Sequence, residues 1–174
     1  LIIPMDVCYQ YQTDQVRTSY TPSTSCPGGT VENGDVIKAY GLVYQLIRNG
    51  VAVYWIINPD KGSVTPAQAA LTTPDLSLQY NAGFPVLKYD WSGSAPSVAP
   101  NTANHTVKYL GGPFVVDGSD AVRAGQVLQK YKATFRPTAA TGVNVHVSNI
   151  AFSASVAKML AGGWSAGGAV PPKL

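Results

Sequence analysis

A helix that runs directly into a strand constrains this chain more than any other feature. Val36, Ile37, Tyr40, Val43, Tyr44 and Ile47 recur at helical spacing, and Leu42 and Leu46 widen the apolar face. Asp35 stands where a carboxylate favours the first free amides of a helix. Asn49 and Gly50 supply a C-cap. The continuous apolar run over residues 51–57 then reads as a central strand buried on both faces. With the apolar residues 1–3 leading to Pro4, Met5 and Asp6, this is a β-α-β unit. Such a unit predicts a parallel sheet, whose ligand-binding loops lie at the carboxyl ends of the strands.

Farther along, residues 107–117 predict a second buried strand. Ser119 and Asp120 predict the cap of a helix over residues 121–133, and residues 143–147 predict another strand. Ser153 opens a short predicted helix over 154–160 that stops at Gly162 and Gly163. Residues 7–34 and 58–108 read as two long irregular loops, with a short strand near 84–89 in the second. The expected architecture is α/β: a three-layer sandwich around a mainly parallel, flavodoxin-like sheet. Residues 1–163 are expected to form one domain, unfinished at its carboxyl end, with 164–174 as a linker or tail. The chain opens inside a strand, without Met or a charged leader, which reads as a processed or excised segment.

The phrases Ile3-Pro4-Met5-Asp6, Lys38-Ala39-Tyr40-Gly41-Leu42-Val43-Tyr44-Gln45-Leu46, Gly50-Val51 and Gly111-Gly112-Pro113-Phe114-Val115-Val116-Asp117 resemble a domain of large secreted surface proteins of delta-proteobacterial type. That domain is similar to the class I glutamine amidotransferase fold, which is flavodoxin-like. The resemblance covers roughly half the chain and implies that sheet. It does not carry the activity. The family's nucleophilic Cys sits on a strand-to-helix elbow between glycines, followed by His and Glu; Cys8 and Cys26 have no such context, and no His-x-Glu follows.

Charged residues are only 12% of the chain, which favours a secreted or surface-assembled protein over a cytosolic enzyme. The net charge is +3 with scattered Lys and Arg, so no nucleic-acid footprint forms. No apolar run approaches the ~18 residues of a membrane span. Cys8 and Cys26 flank a loop of about 18 residues, which suits a disulfide in an oxidising compartment.

Asp6, Asn58 and Asp117 each follow a predicted strand and form a candidate ligand edge. They read either as hard oxygen donors for a cation or as caps of the following loops. Tyr9, Tyr11, Tyr20, Tyr80, Tyr89 and Trp91 punctuate the two loops, as interaction aromatics or as cover for the core. His105 and His146 are isolated; each reads as a general base or zinc ligand, or as a surface or packed residue. Asn104-His105-Thr106 matches a glycosylation sequon. Gly28-Gly29 and Gly111-Gly112 lack the flanking strand and helix of a nucleotide loop.

No catalytic set and no cofactor are expected, and metal binding is left open. The expected function is a non-catalytic structural or interaction domain of an extracellular or cell-surface protein. It would work by protein partnership or self-assembly into a filament, with glycan as a further partner. The alternative is an amidotransferase-like or hydrolase-like enzyme with Cys8 as nucleophile.

Overall fold

Both long predicted helices form, but the strands that each one joins are not neighbours. The computed structural model describes residues 1–6, 8–10, 34–59, 74–80, 87–89, 91, 105–136, 142–148, 151–152, 154 and 157–161. The strands are β1 (Ile2–Ile3), β2 (Val53–Ile56), β3 (Leu76–Tyr80), β4 (Leu87–Lys88), β5 (His105–Tyr109), β6 (Phe114–Val115), β7 (His146–Val147) and β8 (Ala157–Ala161). The helices are α1 (Val36–Arg48) and α2 (Ala121–Phe135), the second preceded by a 3-10 turn, Gly118–Asp120. One sheet has the order β4-β7-β1-β6-β2-β8; β3 and β5 form a separate ribbon.

Among the described residues every pairing is antiparallel, which overturns the expected flavodoxin-like parallel sheet. The physical reason lies in β6. It pairs with β1 on one side and β2 on the other, antiparallel to each. The strands joined by α1 are therefore parallel, as a β-α-β unit requires, but β6 occupies the gap between them. In the same way β1 stands between β6 and β7, the strands joined by α2. Two split β-α-β units interleave, the plan of ferredoxin-like sandwiches.

Alternation along the strands sorts side chains between two cores. Ile3, Phe114 and Trp55 share one register row; Ile2, Val115 and Tyr54 share the next. The first row faces the helices, packing with Leu42, Leu46, Val127 and Leu128. The second faces the ribbon and meets Leu76, Leu78, Val107 and Tyr109. The sheet is thus buried on both faces, but its second cover is a β-ribbon and not a helix layer.

Caps and crosslinks fix the helices. The Asp35 carboxylate accepts from the Ile37 and Lys38 amides at 2.9 and 3.1 Å. The buried face of α1 is Ala39, Leu42, Val43, Leu46 and Ile47; Ile37, Tyr40 and Tyr44 lie exposed. The expected stripe is therefore rotated, because α1 is apolar over more than half its circumference. Asp117, not Ser119 or Asp120, makes the side-chain cap before α2, accepting from the Ser119 amide at 2.8 Å. Asp120 instead accepts from the Ala52 amide at 2.9 Å, and Arg123 donates to the Gly50 carbonyl at 2.7 Å. These two bonds tie the start of α2 to the α1–β2 turn.

The predicted final helix over 154–160 is also overturned. Residues 157–161 are β8, which pairs along β2 with a register shift opposite Val53 and Tyr54. The free side of β2 outweighs the helix propensity of Ala, Lys, Met and Leu. The second long loop contains β3, β4 and β5, so it is not structureless. Residues 162–174, including the expected linker, lie outside the described residues.

Gly112 has φ +66, and a Cβ there would stand 2.6 Å from the Trp55 indole nitrogen. Gly112→Ala is expected to lower stability by about 1–3 kcal/mol. Gly118→Ala, whose Cβ would meet nothing within 4 Å, is expected to be near neutral. Urea unfolding midpoints of the two variants check the contrast.

Candidate functional site

The antiparallel direction of β6 decides the fate of the predicted ligand edge. Asp6 and Asn58 follow β1 and β2 at one end of the sheet. Asp117 follows β6 and lies at the other end, where the Val116 amide donates to the Leu1 carbonyl at 2.9 Å. The three residues do not converge, and among the described residues no group of three His, Cys, Asp or Glu could hold a metal ion.

Asp6 is buried at the junction of β1 and the ribbon. Its carboxylate accepts from the Cys8 amide at 3.0 Å and the Leu110 amide at 3.1 Å. Asn58 sits beside Asp75, a residue the sequence reading passes over. The Asp75 carboxylate accepts from the Asn58 amide at 3.0 Å and the Gly112 amide at 2.8 Å. The Trp55 indole donates to the Gly112 carbonyl at 2.9 Å. Asp6, Asp75 and Trp55 thus grip one crossing, residues 110–112, that carries the chain from the ribbon to β6.

A polar cluster continues from Asp6. Tyr109 and His146 are fully or almost fully buried, and the tyrosine hydroxyl lies 2.9 Å from the imidazole Nδ1. The Tyr9 ring meets His146 edge-on at 5.1 Å and Tyr109 at 5.4 Å. Alongside, the Gln10 amide group donates to the Pro4 and Asn144 carbonyls at 3.0 and 2.9 Å and accepts from the Asn144 amide at 3.1 Å. The Asn144 side chain donates to the Tyr9 carbonyl. Burial pushes the Asp6 carboxyl up to about 6, although the Leu110, Cys8 and Tyr9 amides and the His146 imidazole pull it back. Carboxyl, imidazole and phenol together have the constitution of an acid–base device. With exposures of 8%, 3% and 0% they stand out of reach of a substrate.

Of the candidate aromatics, Tyr9, Tyr89 and Trp91 stand in the core. The Trp91 indole donates to the Val143 carbonyl at 2.6 Å, and the Tyr89 ring packs edge-on against it at 4.6 Å. Tyr80 closes β3, opposite His105 of β5. Tyr11, Tyr20, Gly28, Gly29 and Asn104 lie outside the described residues, as does Cys26. Cys8 is buried and not free. An attacking thiol must reach its substrate as an exposed thiolate, and this position offers none.

One accessible concavity among the described residues lies elsewhere, on the ribbon side of the sheet. It has a volume of about 550 Å³ and is lined by Leu1, Tyr54, Ile56, Val115, Phe152 and Ala154, among others. The volume falls in the range of small-ligand and side-chain pockets. No short motif marks it, because its walls come from segments far apart in sequence that only the antiparallel order brings together.

Asp75→Ala leaves the Asn58 and Gly112 amides without their acceptor. The expected loss is about 1–3 kcal/mol, read as a lowered urea midpoint. No protein-family model, curated protein or solved structure matches the chain.

Proposed function

We propose that this chain is a non-catalytic interaction domain of an extracellular or cell-surface protein, and that the groove on its sheet receives apolar side chains of a protein partner. The groove carries the reading: it is open, predominantly apolar and built in part from the strands β2 and β6. The sealed position of Asp6, His146 and Tyr109 supports a binding role over turnover. Self-assembly into a filament through an open sheet edge is the second form of the proposal.

Peptides selected on the wild-type chain are expected to be apolar and to lose at least about tenfold in affinity for Ala154→Arg, which fills the groove rim with a charge. Peptides that bind both forms equally would remove the groove from the reading. The extracellular placement rests on a Cys8–Cys26 disulfide. Intact mass of the native protein is expected to rise by two hydrogens on reduction, and fast labelling of two thiols without reduction would count against it.

A further inference from the structure

We propose that the cleft between α1 and α2 is a binding site for a uronate unit of an acidic polysaccharide. The cleft has a volume of about 390 Å³, within the range of small-ligand sites. It lies on the helix side of the sheet, away from the groove beside β2 and β6. Gln45, Arg48 and Asn49 line it from the end of α1, and Lys130, Thr134 and Phe135 from the last turns of α2. The buried Val127 and Tyr131 close it from below. No carboxylate lines it among the described residues. The two helices carry five cations, Lys38, Arg48, Arg123, Lys130 and Lys132, and no acid. Asp35 and Asp120, which precede them, already pair with Lys38 and Arg123 at 3.3 and 3.5 Å. Neither Arg48 nor Lys130 has an ion pair among the described residues.

Arg48 stands in the last turn of α1 but is not needed to satisfy that helix end. The Asn49 amide donates to the Gln45 and Leu46 carbonyls, each at 3.1 Å, and the Gly50 and Val51 amides donate to Ile47 and Leu46 at 3.0 Å. The Asn49 side chain adds a bond to the Gln45 carbonyl at 2.7 Å. The guanidinium and the Lys130 ammonium are therefore left to an anion, and the planar fork of an arginine suits a carboxylate. Acceptors stand beside these donors. The Thr134 hydroxyl gives its proton to the Lys130 carbonyl at 2.9 Å, so its oxygen offers lone pairs, as does the Asn49 side-chain carbonyl. Phe135 is 56% exposed, and its ring packs on Tyr131 at 4.6 Å, which holds an apolar platform at the same cleft. A carboxylate, hydroxyl donors and an apolar ring face occur together in a uronate. A neutral sugar leaves Arg48 and Lys130 without a counter-charge. Acidic peptide side chains bring carboxylates but no hydroxyls for Thr134 and Asn49.

Calorimetric titration of the full chain with oligogalacturonate tests the site, with neutral oligogalactose and oligoglutamate as comparison ligands. Saturable binding of the uronate is expected, at least about tenfold tighter than either comparison ligand and weakened by added salt. Arg48→Gln and Lys130→Gln, both at exposed positions, are each expected to lose at least about tenfold in affinity. Lys108→Gln removes the same charge from the ribbon and is expected to keep the wild-type affinity. Equal losses in all three variants would reduce the effect to net charge and overturn the proposal. Absence of uronate binding, or oligogalactose bound as tightly, would overturn it too. Oligoglutamate bound as tightly would assign the cleft to an acidic peptide instead.

Discussion

The fold hangs on the short crossing of residues 110–112. This segment delivers the chain from the outer ribbon into the middle of the six-stranded sheet, and three side chains from different elements fix its path. Asp6 takes the Leu110 amide, Asp75 takes the Gly112 amide, and Trp55 gives its indole proton to the Gly112 carbonyl. The approach is so close that a side chain at Gly111 would meet the backbone of Met5 and Asp6 at 2.8 Å. If the crossing moves, β6 loses its place between β1 and β2, and both split units lose the strand they share.

Polar groups in this core do the work of specification. A slip of one residue in β6 would exchange Phe114 and Val115 between the helix side and the ribbon side. Hydrophobicity alone does not forbid that exchange, since both cores are apolar. The bonds that Asp75 and Trp55 make to Gly112, just before β6, help remove the ambiguity, because a shifted register would leave them unmatched. The same logic explains why a chain with so few charges keeps an acid, an imidazole and two phenols under its ribbon.

Local pattern carried part of this to the surface of the sequence. The cap at Asp35, the stop at Asn49 and Gly50, and the strand after them are all readable, as is the parallel relation of β1 and β2 that one helix between two strands imposes. Adjacency is not readable, because the strand that separates β1 from β2 begins only at Phe114. The alternation of Leu76, Ser77, Leu78, Gln79 and Tyr80 was present in plain view as a strand signal, hidden among prolines that suggested a loop. β8 could not be read locally at all: its composition favours a helix and only the open side of β2 makes it a strand. For the site, Asp6 is visible as a residue after a strand, but its convergence with Asp117 depended on a strand direction that no local feature encodes. Tyr109 and His146 meet only once the ribbon has folded over the sheet.

The interleaving of the two split units also sets an order of events during synthesis. β1, α1 and β2 leave the ribosome first, yet the place between the two strands stays vacant until Phe114 and Val115 emerge. At ~5–20 residues per second that interval lasts on the order of 3–12 s. Throughout it, Ile3, Trp55 and the inner face of α1 have no central strand to close over them. The nascent chain therefore presents two unpaired inner strand edges during that interval, before the mature molecule exists.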